Sequence, residues 1–251
     1  MIIQGPPIGR LALSILIVMI VFGKPLVAFS ADGPVHLIST KLPGGQFEKK
    51  NGKFVGAFAK FFREASTQSG VPIDFRMVPW VRAVRETERS ADLLLFPFTR
   101  TEQRESRFTW IAQLDEDRMC FASVGRRINS LKEARRLERI LVWRGTSNQA
   151  FLEKQEFKNL VIVSNKKRII QMLKAKQDAA WYFICDEAQS YLDPGKSDIT
   201  VKVGTPVASE VMWLAGGKSL KQTAAVDKFI KAIKILEKDK VLKKLLSEAA
   251  K

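Results

Sequence analysis

Beyond the first thirty residues, short apolar runs alternate with longer stretches of helical spacing. Residues 35–40 read as a strand, followed by a Gly-rich turn at Pro43-Gly44-Gly45 and a second turn at Asn51-Gly52. Residues 56–69 place apolar side chains at 57, 58, 61, 62 and 65, the spacing of one helix face. Gly70 ends that helix, and residues 71–78 form the next strand. Residues 80–89 predict a highly charged helix. Residues 91–98, apolar except for Asp92, suit a buried strand of a parallel sheet. A short helix opens within residues 99–104, with Thr99 or Thr101 as its N-cap.

Further strands are expected at residues 118–125, 140–143, 160–163, 179–184, 199–203 and 210–215. Helices are expected at 128–138, from 148 onward, and at 166–176, 220–237 and 240–249. This alternation predicts α/β units built on parallel sheets. The sequence shows no internal repeat and no linker that would divide it in the middle.

The N-terminus follows a different pattern. Arg10 precedes an apolar run from Leu11 to Phe22 that is broken only by Ser14. The run is about 12 residues, short of the ~20 that a spanning helix needs. Gly23-Lys24-Pro25 and then Ala28-Phe29-Ser30 complete the layout of a signal peptide cleaved after Ser30. A retained membrane anchor is the alternative. An exported chain meets an oxidising compartment, so Cys120 and Cys185 are either a disulfide or two buried thiols.

Lys and Arg outnumber Asp and Glu by 42 to 26, a net charge of +16 over 251 residues. Such a charge favours anionic partners or simply a basic solvated surface. Nucleic acid is not expected, because the aromatic residues sit in apolar runs rather than among the basic ones. Enzyme chemistry is poorly supplied. The one histidine, His36, lies within a strand, and no serine sits in a nucleophile elbow. Neither a metal site nor a cofactor is expected, because one His and two separated Cys do not make a ligand set and no glycine fingerprint is present. No catalytic residue is proposed.

What remains is two polar segments at strand ends, where open α/β sheets bind ligands. They are Thr99-Arg100-Thr101-Glu102-Gln103-Arg104 and Arg144-Gly145-Thr146-Ser147. Each joins hydroxyls, backbone N–H groups and a helix start, a combination suited to a carboxylate. An arginine adds a planar fork that matches a carboxylate. Ordinary helix capping is the alternative for both.

The order of these segments resembles bacterial extracellular solute-binding family 3, the amino-acid-type periplasmic binding proteins of ABC transporters. The resemblance rests on Asn51-Gly52-Lys53-Phe54-Val55-Gly56, Pro79-Trp80-Val81-Arg82-Ala83, Ser90-Ala91-Asp92, Thr101-Glu102-Gln103-Arg104, Phe108-Thr109-Trp110, Gly145-Thr146-Ser147 and Asp178-Ala179-Ala180. It implies a two-lobed periplasmic binding protein type II fold, each lobe a mixed sheet flanked by helices, with two crossover strands as hinge. Lobe 1 would be residues 31–119 and 212–251, and lobe 2 residues 120–211. The implied protein is a periplasmic monomer that clamps a small carboxylated solute and presents it to a permease in the inner membrane. A sensor of the same fold, or a basic exported protein binding anionic polymers, is the alternative.

By the same resemblance, Arg104 would hold the ligand carboxylate, with Thr99, Thr146 and Ser147 as neighbouring contacts and Trp80 as a cleft wall. Phe47 fits the family's aromatic segment after the first strand, although a stacking tyrosine has no match. Lys60 stands where an acidic residue is usual. The aspartate that grips an ammonium falls on Phe183, with Asp186 nearby but out of register.

Overall fold

The computed structural model describes Met1 and residues 33–164, 166–175, 178–187 and 201–249. The expected signal segment, residue 176 and the first two residues of the strand at 199–203 lie outside the described residues.

In chain order the strands are β1 (Val35–Ser39), β2 (Glu48–Lys50), β3 (Lys53–Val55), β4 (Ile73–Met77), β5 (Leu93–Thr99), β6 (Phe108–Val124), β7 (Arg139–Trp143), β8 (Leu160–Val163), β9 (Ala179–Ile184), β10 (Val201–Val203) and β11 (Ala208–Gly217). The helices are α1 (Ala57–Ser69), α2 (Trp80–Arg89), α3 (Glu102–Glu105), α4 (Leu131–Ala134), α5 (Ser147–Lys154), α6 (Lys166–Ala175), α7 (Ala224–Lys238) and α8 (Val241–Ala249). None of the described helices is long and apolar enough to cross a membrane.

One continuous sheet runs in the order β4-β1-β5-β11-β6-β9-β7-β8, with β10 also paired to β6. Its outer parts are parallel, β4-β1-β5 on one side and β8-β7-β9 on the other. Both follow from strands that are separated by helices, since a parallel pair needs a crossover. The middle is antiparallel: β11 pairs with β5 and β6, and β6 continues on to pair with β9. β6 and β11 are therefore the two strands that pass between the halves of the molecule.

Each half has its own core on both faces of its sheet. In the first half, α1, α7 and α8 cover one face through Phe58, Phe61, Phe62, Phe229, Ile233 and Leu242, which form one cluster with Phe96 of β5. Phe62 and Phe96 meet edge-on at 4.6 Å between ring centres, a preferred geometry for aromatic pairs. α2 covers the other face through Trp80 and Ala83. In the second half, Leu152 of α5 and Phe157 pack with Phe121 and Tyr182, while Ile169 and Leu173 of α6 pack with Trp181 and Phe183 on the opposite face. Alternation along β9 explains the split, since successive side chains point to opposite faces.

The Asn51-Gly52 turn closes the β2–β3 hairpin, with both residues at positive φ (48° and 76°) as a two-residue primed turn requires. Gly56, at φ 110°, sits where a Cβ would lie 2.3 Å from the Gly45 carbonyl oxygen, so the chain can make this crossing only without a side chain.

Two expected elements differ. The strand expected at 118–125 begins ten residues earlier, at Phe108, because apolar Phe108, Trp110, Ala112 and Leu114 recur at every second position and this stretch pairs with β11 along its length. The helix expected at 128–138 is reduced to the four residues of α4. Ser130 caps its N-terminus, accepting from the Glu133 backbone N–H, and the Asn159 side-chain amide donates to the carbonyls of Ala134 and Leu137 just beyond it.

Candidate functional site: a cleft between the two halves

A cavity of about 100 Å³ lies where the C-terminal ends of β5 and β7 face each other across β6 and β11. From the first half it is lined by Thr40, Leu42, Gln46, Trp80, Pro97, Thr99 and Arg104, and from the second by Trp143, Thr146, Ser147, Asn148, Trp181, Phe183, Ile184 and Glu187. The two crossing strands supply Asp117, Glu210 and Met212.

Arg104 is the buried centre of the first wall. α3 turns it back over the end of β5, where its Nη1 donates to the Thr99 carbonyl at 2.7 Å. Its Nη2 donates across the cleft to the Gly145 carbonyl at 3.1 Å, and the guanidinium lies 4.1 Å from the centre of the Phe98 ring. Burial disfavours its charge and pushes its pKa down to about 10, opposed by the attraction of Glu210. Trp80, at the first turn of α2, donates from Nε1 to the same Gly145 carbonyl at 3.1 Å. Its ring lies 6.1 Å from that of Trp143 in the facing half.

The second wall is the start of α5. Thr146 is its N-cap residue, and its hydroxyl donates to the Trp143 carbonyl at 2.7 Å. The Ser147 hydroxyl donates to Oε2 of Glu210 at 2.5 Å, and the Thr99 hydroxyl also hydrogen-bonds to that carboxyl. Desolvation nevertheless raises the pKa of Glu210 above the usual carboxylate value. On the outer rim, Lys154 of α5 pairs with Glu102 of α3 at 2.8 Å. The two halves are thus latched shut by contacts from α2 and α3 to the β7–α5 turn and to α5.

Five of the residues singled out from the sequence, Arg104, Thr99, Trp80, Thr146 and Ser147, converge on this cavity. Two do not. Phe47 is fully buried in the first core, stacked on Phe54 at 5.4 Å. The bridge between Leu42 and Phe47 turns it inward and leaves Leu42 and Gln46 to face the cleft. Asp186 is exposed in the 3-10 turn Cys185–Glu187 and pairs with Arg118 at 2.8 Å, while its neighbour Glu187 is buried and lines the cavity. Cys120 and Cys185 form a disulfide, which settles the alternative left open by the sequence and fixes that turn to β6.

Asp117 and Glu210 are not legible as site residues in the sequence. They are acids within strands, Asp117 the last of three consecutive acids, and only the β6–β11 register sets them side by side.

The sequence matches no protein-family model and no curated protein. Solved structures do match it. A Streptococcus pneumoniae amino acid ABC transporter substrate-binding protein bound to L-arginine superposes with a TM-score of 0.71 at 15% identity, over 87% of this chain and 94% of that one. The chain has the type II periplasmic binding protein fold. An ancestral arginine-binding protein bound to arginine shares this fold with a TM-score of 0.71 at 17% identity, over 86% and 97% of the two chains. A histidine kinase sensor domain with similarity to periplasmic binding proteins shares it with a TM-score of 0.71 at 14% identity, over 86% and 95%. In a fold of this type, the space between the lobes, spanned by β6 and β11, is the natural place for a ligand.

Proposed function

We propose that this protein is a periplasmic solute-binding protein that captures a small polar carboxylated solute, an amino acid or similar, for an ABC transporter permease. The observation that carries the reading is the cavity itself. It is shut by hydrogen bonds between the two lobes, with the Arg104 fork and the N-terminal turn of α5 on facing walls. An arginine and a helix start are complementary to a carboxylate. The solved structures bound to arginine support the same reading.

In this reading lobe 1 is residues 31–119 with 212–251, lobe 2 is residues 120–211, and residues 1–30 direct export. Binding closes the lobes about β6 and β11, and the permease recognises the closed form. The protein works as a monomer and performs no chemistry on its ligand. Among the described residues no group of His, Cys, Asp and Glu is arranged to hold a metal.

A thermal-shift screen of the exported protein against amino acids, organic acids, polyamines and oligopeptides tests this. A ligand at ~100 times its dissociation constant adds about 2.7 kcal/mol of stability. A hit that also stimulates a co-reconstituted permease supports transport. The sensor-domain structure favours one second reading, a receptor of the same shape, for which a hit without any such stimulation would speak. A well-folded protein with no hit in any class rejects both.

A further inference from the structure

The charge inside the cleft is unbalanced. Among the described residues lining it, Arg104 is the one cation, while Asp117, Glu187 and Glu210 are acids. Arg104 already donates to two backbone carbonyls.

Two of the acids are a direct pair. Asp117 of β6 and Glu210 of β11 are opposite each other in the antiparallel register, on the two strands that cross between the lobes. Like charges directly opposite on neighbouring strands repel. Glu210 is held by Ser147 and Thr99. The Asp117 carboxylate has no hydrogen-bond or ion-pair partner among the described residues, and the groups acting on it are all acidic: Glu187, Asp115, Glu210 and Asp186. Burial and these neighbours both push its pKa well above the usual aspartate value. A half-buried, unpartnered carboxylate facing a cavity, opposed by a second carboxylate, is destabilising in the protein alone.

Four aromatic side chains line the same cavity: Trp80, Trp143, Trp181 and Phe183. Aromatic faces attract cations through the ring quadrupole. The described residues offer no cluster suited to a metal ion. A close carboxylate pair outside any metal cluster, in a cavity also lined by aromatic rings, matches a larger and softer cation.

We propose that the cleft selects an organic cation, an ammonium or guanidinium group, which sits at the Asp117–Glu210 pair of the crossing strands with Glu187 beside it. This rests on the solute-binding reading and names the charge class of its solute. It assigns to β6 and β11 a recognition role in addition to their role as connections. Phe183, where the resemblance would place an acidic ligand contact, becomes apolar wall, and the acidic function moves to the neighbouring strands and to Glu187.

The test is a calorimetric titration of the exported protein with three probes of one shape: L-arginine, agmatine, which lacks the carboxylate, and L-citrulline, whose side chain is neutral. L-Glutamate and L-glutamine serve as non-cationic references. The expected result is binding of L-arginine and agmatine, with L-citrulline at least tenfold weaker than L-arginine. Asp117→Asn is expected to weaken L-arginine at least tenfold, to leave L-citrulline within about twofold, and to raise the melting temperature without ligand. A variant that merely misfolds would lower it. Glu187→Gln provides a second variant, with the same loss for L-arginine and the same indifference for L-citrulline.

If L-citrulline, L-glutamine or L-glutamate binds as tightly as L-arginine, or Asp117→Asn leaves L-arginine unchanged, the cation assignment is overturned and the solute-binding reading stands. If none of the probes and no compound of the wider screen binds, that reading falls, and this inference with it.

Discussion

The carbonyl oxygen of Gly145 accepts hydrogen bonds from Trp80 and from Arg104, both in the facing lobe. One backbone atom thus ties α2 and α3 to the β7–α5 turn, and both donors stand at the mouth of the same cavity. Arg104→Ala is expected to weaken ligand binding by about 1.5–3 kcal/mol, the scale of a hydrogen bond to a charged group, measured by calorimetry. Unchanged affinity would remove Arg104 from the site.

At this scale the sequence is informative where a residue's role is local. Thr99, Arg104, Thr146 and Ser147 lie in two polar segments at strand ends next to helix starts, and local pattern marks those segments while the family resemblance singles out the residues. It is silent where the role depends on register. Asp117 and Glu210 look like ordinary strand acids, because nothing local indicates that β6 and β11 will place them opposite one another. Phe47 is misleading for the opposite reason: its aromatic context fits a cleft, but the turn from Leu42 rotates it into the core.

The most informative element is β6. Helix α2 is legible to the residue, and its buried positions Trp80, Ala83 and Thr87 mark one face of a highly charged helix. β8 and β9 are equally clear as short apolar runs. The first half of β6 is less plain, because its buried residues Phe108, Ala112 and Leu114 are interleaved with more exposed ones instead of forming a run, and Glu116 and Arg118 beyond them are exposed.

The Cys120–Cys185 disulfide joins this strand to the turn that carries Glu187. It closes a loop spanning a sequence separation of 65 residues. Replacing both cysteines by serine is expected to cost about 2–4 kcal/mol of stability, measured by denaturant unfolding. It should also weaken binding of a cationic ligand, because Glu187 loses its anchor. A double variant with unchanged stability and affinity would show the crosslink to be incidental.

At the scale of the whole molecule, charge is divided. The chain is strongly basic overall, yet the cavity between the lobes is acidic. A strongly positive net charge read from composition points towards anionic partners, and the interior of the cleft reverses that sign locally.

The raised pKa values of Asp117 and Glu210 make the behaviour pH-dependent in a definite direction. Their folded values lie above the ordinary 3.8 and 4.5, so the protein without ligand gains stability from their protonation. That contribution is full below the ordinary values and is lost as pH rises through the folded ones. A bound cation favours the ionised form, so affinity for L-arginine should rise with pH over the same window, and calorimetry at a series of pH values checks this. The groups facing Asp117 are Asp115 on its own strand, Glu210 on β11 and Asp186 and Glu187 on the 3-10 turn, with Arg104 close to Glu210. A flat pH profile would separate the acids from binding. Partly exposed carboxylates paired with basic residues, such as Glu86 beside Arg82 and Glu88 beside Arg107, have lowered values and act oppositely. Their contribution is present above 4.5 and lost as pH falls.

The most direct test of a solute site between the lobes is a titration of the protein with L-arginine followed by tryptophan fluorescence, with Arg104→Ala as the control. Trp80, Trp143 and Trp181 line the cavity and would report its occupation. A saturable one-to-one change, at least tenfold weaker in Arg104→Ala, is the predicted result. A signal that does not saturate, or one that persists at full strength in Arg104→Ala, would contradict a solute held in this cleft.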